Sequence, residues 1–168
     1  MNGEDSVTGP SGSMRIAFGA DDLGHPQMRA MHAYWQVRRG DARAPHMRTI
    51  DPLALPRSAL AYLSVIEVEA GTGRFRNRLF GTAAAKATGE DQTGCFIDEM
   101  PGTEEQLERF RWCVQNCRPY LARDRLSWSP KRYNYYDVLA LPFLDDDGRV
   151  ARLIFVFHFD ADQPDPAC

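Results

Sequence analysis

The stretch from residue 63 to residue 82 reads LSVIEVEAGTGRFRNRLFGT, and the rest of the fold can be worked out from it. The segment 63–69 is short and rich in β-branched side chains, which is typical of a strand. The Gly-Thr-Gly sequence at 71–73 supplies a turn, and Phe75–Phe80 continues as a second strand. The pattern therefore predicts a β-hairpin that Gly81 ends.

Helical signals follow this hairpin. The alanine-rich segment Thr82–Thr88 predicts a short helix, and residues 96–100 predict one further helical turn. A longer helix is expected to begin after Thr103, because Thr103 with Glu105 and Gln106 resembles a capping box. Several helical segments thus separate the hairpin from the last third of the chain.

Three more strands are predicted in that last third, over residues 120–128, 133–144 and 150–159, with a glycine turn at 145–148 between the last two. Ahead of the hairpin, a proline start and apolar residues at helical spacing predict a helix over residues 26–39. The order is one helix, two strands, several helices and three strands. It predicts an α+β fold with one antiparallel sheet and helices gathered on one side.

The composition indicates a single globular domain. The chain has 168 residues, of which 43% are hydrophobic and 26% charged, which suits one compact unit over residues 15–159. Residues 1–14 are rich in Gly, Ser and acids and predict a disordered leader, while the proline-containing residues 160–168 predict a flexible tail. The sequence shows neither a secretory signal nor an apolar run of spanning length, so we expect a soluble cytoplasmic protein.

Charge and motifs exclude several classes of function. A net charge of −3 and a pI near 5.8 give no general attraction to nucleic acid or to an acidic membrane. Cys113 and Cys117 have the spacing of half a metal site, but no second pair accompanies them, so no metal is expected. The common phosphate-binding, dinucleotide-binding and hydrolase motifs are also missing. The sequence therefore favours a domain without catalytic activity.

Short motifs follow one another in a characteristic order. They are Tyr34-Trp35, Arg39-Gly40, Ile50-Asp51-Pro52, the run FRNRLFGT at 75–82, Thr88-Gly89, Thr93-Gly94, and Leu141-Pro142 ahead of Asp147-Gly148. Their order and spacing, over about residues 30 to 159, resemble the PAS sensor domain, and in particular the bacterial PAS_5 type of stand-alone PAS protein. The resemblance implies a five-stranded antiparallel sheet of strand order two-one-five-four-three, with helices arching over one face.

The resemblance also implies a function. PAS-like domains are sensory or protein-interaction modules of bacterial signalling, in which a small apolar ligand can occupy a cavity between the helices and the sheet. An unidentified signalling protein would be the partner. The expected lining comprises Phe96 and Ile97 from the short helical turn, Leu107, Phe110, Val114 and Cys117 from the long helix, and Leu139, Leu141, Leu153, Phe155 and Phe157 from the sheet. A shift of one residue would exchange the two faces of a strand.

The sequence does not favour the cofactors that some PAS domains carry. The residues Asn116, Cys117 and Arg118 resemble part of the motif in which a cysteine attacks flavin, but they lie at the end of the long helix. In flavin-binding relatives that motif lies on the short helix after the first two strands. Haem-binding relatives use a histidine on or near the long helix, and this chain has none there. No cofactor is expected.

The helix over residues 26–39 presents Met28, Met31, Tyr34 and Trp35 at helical spacing. In PAS-like proteins such a helix packs on the open face of the sheet or on its mate in a dimer. A face rich in Met and Trp suits either use, and we expect a homodimer to which this helix contributes.

Two other functions remain open at this stage. One is a small cone-shaped α+β enzyme or carrier of hydrophobic ligands, with Asp137 or His158 as the acid–base group; the proline-rich residues 41–56 fit it poorly. The other is a single-stranded nucleic-acid binder, which the acidic pI disfavours. Its arginines and aromatic residues would be Arg111, Trp112, Arg118, Tyr120, Arg123, Arg125 and Trp128.

Overall fold

The computed structural model describes residues 14–126 and 135–160. The strands are β1 (Met14–Arg15), β2 (Leu63–Val68), β3 (Phe75–Phe80), β4 (Tyr120–Arg125), β5 (Tyr135–Leu144) and β6 (Val150–Phe159). The α-helices are α1 (Pro26–Arg39), α2 (Arg57–Leu60), α3 (Thr82–Thr88) and α4 (Glu104–Asn116). Three 3₁₀ turns lie at Ala20–Asp22, Met47–Thr49 and Ile97–Glu99.

The strands form one antiparallel sheet in the order β1-β4-β5-β6-β2-β3. Without β1, this is the strand order two-one-five-four-three that the resemblance to PAS domains implied, so the α+β PAS-like architecture is confirmed. The strand count differs by one, because Met14 and Arg15 pair with Ala122 and Leu121 at the edge of the sheet. A strand of two residues is too short to show a period of alternation.

The two central strands are buried on both faces. Residues 138–143 of β5 and 153–157 of β6 are buried without interruption. On one face, the Phe110 ring of α4 lies 4.6 Å from the Phe155 ring of β6, centroid to centroid. On the other face, the indole nitrogen of Trp35 in α1 donates a 2.8 Å hydrogen bond to the Pro142 carbonyl oxygen. The sheet therefore lies between α4 and α1.

Most helix bounds agree with the sequence, but one cap does not. Helix α1 begins with Pro26 and ends before Gly40, whose φ of +53° is easily adopted by glycine. The capping box predicted at Thr103 is wrong, since no side-chain cap hydrogen bond is made there. The Thr103 hydroxyl instead donates to the carbonyl oxygens of Ile97 and Met100. It joins the start of α4 to the preceding 3₁₀ turn.

Some predicted segments fall partly outside the described residues. These are the leader apart from Met14, the tail apart from Asp160, and the stretch 127–134 between the fourth and fifth strands. The Asp160 amide donates a 3.0 Å hydrogen bond to the Tyr135 carbonyl oxygen. Of the helices in the described part of the chain, none combines the length and the apolar character that a bilayer crossing needs.

Gly81 should not tolerate a side chain. A Cβ atom there would lie 2.4 Å from the Ala61 carbonyl oxygen and 2.7 Å from that of Leu63, and these backbone atoms cannot turn away. We expect Gly81→Ala to lower the free energy of unfolding by about 1–3 kcal/mol, as overpacking does. Urea denaturation measures this change. Gly24→Ala is the matched control, because a Cβ at Gly24 meets nothing within 4 Å; equal losses in both variants would contradict the steric explanation.

Candidate functional site

A cavity of about 50 Å³ lies between α4, the 3₁₀ turn Ile97–Glu99 and the sheet. Apart from the half-buried Met100, every lining residue is buried. The lining residues are Ser64, Ile66, Asn77, Phe80, Gln92, Ile97, Met100, Thr103, Gln106, Arg109, Phe110, Tyr120, Tyr136, Val138, Phe155 and Phe157.

Several polar side chains line one part of this largely apolar cavity. The Arg109 side chain is 1% exposed and donates a 3.0 Å hydrogen bond to the Asp124 carboxylate. It also lies 3.4 Å from the Tyr136 hydroxyl, to which Gln106 donates a hydrogen bond. Burial lowers the pKa of Arg109, but Tyr136, Tyr120 and Asp124 outweigh it and the pKa is raised. Arg109 therefore remains a cation inside the core.

Two buried amide groups on the cavity wall lack a hydrogen-bond partner. Asn77 and Gln92 are 1% and 4% exposed. The Asn77 side-chain oxygen accepts a 2.8 Å hydrogen bond from the Ser64 hydroxyl, but the Asn77 Nδ2 and Gln92 Nε2 atoms have no partner among the described residues. A buried donor without a partner costs about 1–3 kcal/mol. Such a group inside a cavity is suited to meet a ligand or an ordered water.

The loop before the 3₁₀ turn is fastened to β3 beside the cavity. The Gly94 amide donates to the Asn77 carbonyl oxygen at 2.7 Å, and the Asn77 amide donates to the Cys95 carbonyl oxygen at 2.9 Å. Arg74 makes two 2.8 Å hydrogen bonds to the Asp98 carboxylate, which lowers the pKa of Asp98. The same guanidinium lies 3.8 Å from the Phe96 ring centroid. This loop, residues 89–96, therefore covers the cavity and is held by backbone and charged contacts. We call it the roof loop.

The structure places only part of the expected lining at the cavity. Ile97, Phe110, Phe155 and Phe157 line it. The remaining expected residues do not, and they are Phe96, Leu107, Val114, Cys117, Leu139, Leu141 and Leu153.

Leu139 and Leu141 lie on the opposite face of β5 from the one that the sequence analysis expected. Their neighbours Tyr136 and Val138 line the cavity, and side chains alternate along a strand. Leu139 and Leu141 therefore lie on the α1 face. Because residues 138–143 are all buried, the apolar pattern did not distinguish the two faces.

The polar part of the lining was missed by sequence reasoning. Asn77 carried a signal, since asparagine is depleted in strand interiors, and it interrupts Phe75–Phe80. Gln92 and Arg109 could not be recognised in the sequence, because each lies in a polar stretch that is typical of a solvent-exposed segment.

The side chains expected at a dimer interface pack against other residues of the same chain. Met28, Met31 and Trp35 are at most 3% exposed, because they pack on the α1 face of the sheet. Tyr34 is half-buried, and its hydroxyl donates to the Thr49 carbonyl oxygen. These four residues attach α1 to its own domain, so a dimer interface would need other side chains.

The thiols near the end of α4 lie apart from the cavity. Burial raises the pKa of both Cys113 and Cys117, and the Cys113 thiol donates to the Arg118 carbonyl oxygen at 3.2 Å. Within residues 14–126 and 135–160, no group of three or more His, Cys, Asp and Glu side chains is placed to hold a metal ion.

Asp137 and His158 lie together on the α1 face. The His25 ring, at the start of α1, stacks on the His158 ring with centroids 3.6 Å apart. His25 Nε2 lies 3.0 Å from Asp137 Oδ2, and Arg123 donates to both Asp137 oxygens. This cluster joins α1 to β4, β5 and β6. Because His25 and Arg123 engage the Asp137 carboxylate, the arrangement favours a structural role over that of a free acid–base group.

The strand order, the helices across one face and the small cavity beneath them define the class of PAS-fold domains. Direct comparison agrees, since a family model described as a PAS domain matches residues 23–154. The chain belongs to the PAS domain family. PAS domains are sensory signalling modules that are generally non-catalytic, and this chain is a sensory signalling domain of that family.

Solved structures give more distant similarities. A sensory box sensor histidine kinase from Vibrio cholerae is similar at a TM-score of 0.46 and 11% identity, over 60% of this chain and 82% of that one. An RNA-binding light-oxygen-voltage receptor is similar at a TM-score of 0.44 and 18% identity, over 68% of this chain and 36% of that one. No curated protein matches the sequence closely enough to count as a relative.

His158 should make the stability of the domain depend on pH. Burial, and then the neighbouring His25, lower the pKa of His158 below its usual 6.5. The folded state therefore disfavours protonation of His158, and the free energy of unfolding should fall as the pH drops through 6.5. Urea denaturation between about pH 7.5 and 5.5 measures this effect, because histidine titrates in that range.

His158→Phe tests the assignment, since it keeps an aromatic ring on His25 but carries no titrating group. The variant should lose less stability over the same pH range. Part of the loss should persist, because burial and Arg39 also lower the pKa of His32. An unchanged pH dependence in His158→Phe would contradict the assignment.

Proposed function

We propose that this chain senses a small molecule held in the core cavity and passes its presence through the central strands to α1 and to a signalling partner. One residue carries this proposal. The ring of Phe157 in β6 lines the cavity, while its carbonyl oxygen accepts a 3.2 Å hydrogen bond from Gln27 Nε2 of α1. A shift of β6 on the cavity side therefore acts directly on the helix across the sheet.

The cavity supplies the sensing half of this proposal. On its wall, the side-chain amide nitrogens of Asn77 and Gln92 have no hydrogen-bond partner among the described residues, and a buried donor without a partner costs free energy. A ligand that accepts their hydrogen bonds stabilises whichever conformation presents both donors together. By linkage, the ligand shifts the population toward that conformation.

The α1 face supplies the output half. Gln27 and Trp35 both donate to backbone carbonyl oxygens of the central strands, and His25 stacks on His158 of β6. A movement of β5 or β6 changes the geometry of all three contacts. Helix α1 is thus fixed to the strands that line the cavity, and its docking can respond to occupancy.

The output also requires a signalling partner. We keep the cytoplasmic, bacterial signalling context and the homodimer that the sequence predicts. Because Met28, Met31 and Trp35 are used within the chain, a dimer would involve the outward side of α1, where Val37 is 79% exposed. Light scattering of the purified chain measures its mass in solution, and a monomer would contradict the homodimer.

The sensing half can be tested without knowing the ligand. The ¹H–¹⁵N spectrum of the protein is recorded before and after addition of a deproteinised small-molecule extract of the host cells. We expect shifts of the resonances of Asn77, Gln92 and the adjoining β3 and β6 amides. Val138→Ile, which adds a methylene group to the cavity wall, should weaken these shifts. An extract that leaves the cavity resonances unmoved would contradict the proposal.

The coupling to α1 can be tested by filling the cavity. Val138 is 3% exposed and lines the cavity, so Val138→Ile should stabilise the domain by about 0.5–1 kcal/mol. We expect slower hydrogen exchange of α1 amides under conditions where α1 opens locally. Val65→Ile is the matched control, because half-buried Val65 lies on a strand but not on the cavity wall. Equal exchange of α1 in both variants would contradict the coupling.

A further inference from the structure

We infer that the ligand of the core cavity is a small carboxylate. The cavity has room for a few water molecules, so the ligand has about three to five non-hydrogen atoms. This inference rests on the proposed function and concerns the same cavity. It replaces the apolar ligand that the sequence predicted with one that accepts hydrogen bonds and carries a negative charge. Three properties of the cavity support it: its unpaired donors, its charge and its volume.

The donors are the first property. Asn77 Nδ2 and Gln92 Nε2 belong to side chains that are at least nine-tenths buried and that line the cavity from β3 and from the roof loop. The Asn77 oxygen is engaged by Ser64. Two side chains on the wall therefore carry a buried N–H group that an acceptor on the occupant would satisfy. A carboxylate has two oxygens and can accept from both.

The charge is the second property. Arg109 lines the cavity and its side chain is 1% exposed, whereas the side chain of its partner Asp124 is 23% exposed and is not part of the wall. The positive charge thus lies deeper than the negative one. No Asp or Glu is among the lining residues that the structure describes. Among the described lining residues the charge is therefore positive, which favours an anion over a neutral molecule of the same shape.

The volume is the third property. At about 50 Å³, the cavity has roughly three to five times the ~10–15 Å³ that one water needs, and about a third of the ~150 Å³ cavity that admits benzene. A flavin, a haem or an aromatic ring does not fit this space. Formate, acetate and similar short carboxylates do. A ligand of about four such atoms binds no more tightly than about 40 µM, because each atom contributes a limited free energy.

The experiment titrates the full chain with sodium acetate, with acetamide and with xenon, following ¹H–¹⁵N spectra and the midpoint of thermal unfolding. Acetamide has the shape of acetate without the charge, and xenon enters dry apolar cavities. We expect acetate to shift the side-chain NH₂ resonances of Asn77 and Gln92, to raise the unfolding midpoint, and to bind about tenfold more tightly than acetamide, as a charge-assisted hydrogen bond predicts.

A matched pair of variants tests the donors. Gln92→Met keeps the side-chain length and removes the unpaired amide, so acetate binding should weaken about tenfold, the effect of one hydrogen bond to a charged group. The ligand-free variant should be at least as stable as the wild type, which keeps its binding measurable. Gln115→Met makes the same change at an exposed position of α4 that does not line the cavity, and should leave acetate binding unchanged.

The outcomes separate this inference from the proposed function. Equal binding of acetate and acetamide would overturn the negative charge of the ligand. Equal acetate binding by Gln92→Met and wild type would overturn the role of the amide donors. Binding of xenon but not of acetate would overturn the ligand class while leaving a ligand-binding cavity in place. If the cell extract also leaves the cavity resonances unmoved, the proposed function fails as well.

Discussion

Strands β5 and β6 are buried on both faces, and this double burial organises the whole domain. One face of the two strands meets α4 and holds the cavity; the other meets α1. Interior packing is dense and does not deform continuously. The packing on one face of these strands is therefore linked to the packing on the other face. This geometry makes α1 part of the same packed unit as the sheet and the cavity.

The same constraint explains which parts of the fold the sequence predicted. The β2–β3 hairpin was recognisable because glycines punctuate it, and α1 because a proline and a glycine bound it. The face of β5 was not recognisable. Strands with one buried face show apolar alternation, but strands buried on both faces read as continuous apolar runs. Leu139 and Leu141 were therefore assigned to the cavity face, although they lie on the α1 face.

The polar wall of the cavity was hidden for a different reason. Its members come from separate elements: Asn77 from β3, Gln92 from the roof loop, Arg109 from α4 and Tyr136 from β5. Apart from Asn77, which interrupts β3, each is an ordinary residue within its own segment. Only the tertiary arrangement brings them together and removes them from water, so neither spacing nor periodicity could predict the group. The apolar residues Phe110 and Phe155, which the sequence also assigned to the cavity, lie on its wall because burial alone places them inside.

The cost of the unpaired amides bears on why the domain keeps them. An apolar residue at Gln92 would avoid a penalty of about 1–3 kcal/mol, and most proteins retain only a few such groups. A ligand that accepts hydrogen bonds from these amides would explain why they are present, whereas core packing alone would not. The roof that carries Gln92 is tied to β3 through the Asn77 backbone. A ligand that bonds both amides therefore draws the roof and the sheet together, and the strands that carry α1 belong to that sheet.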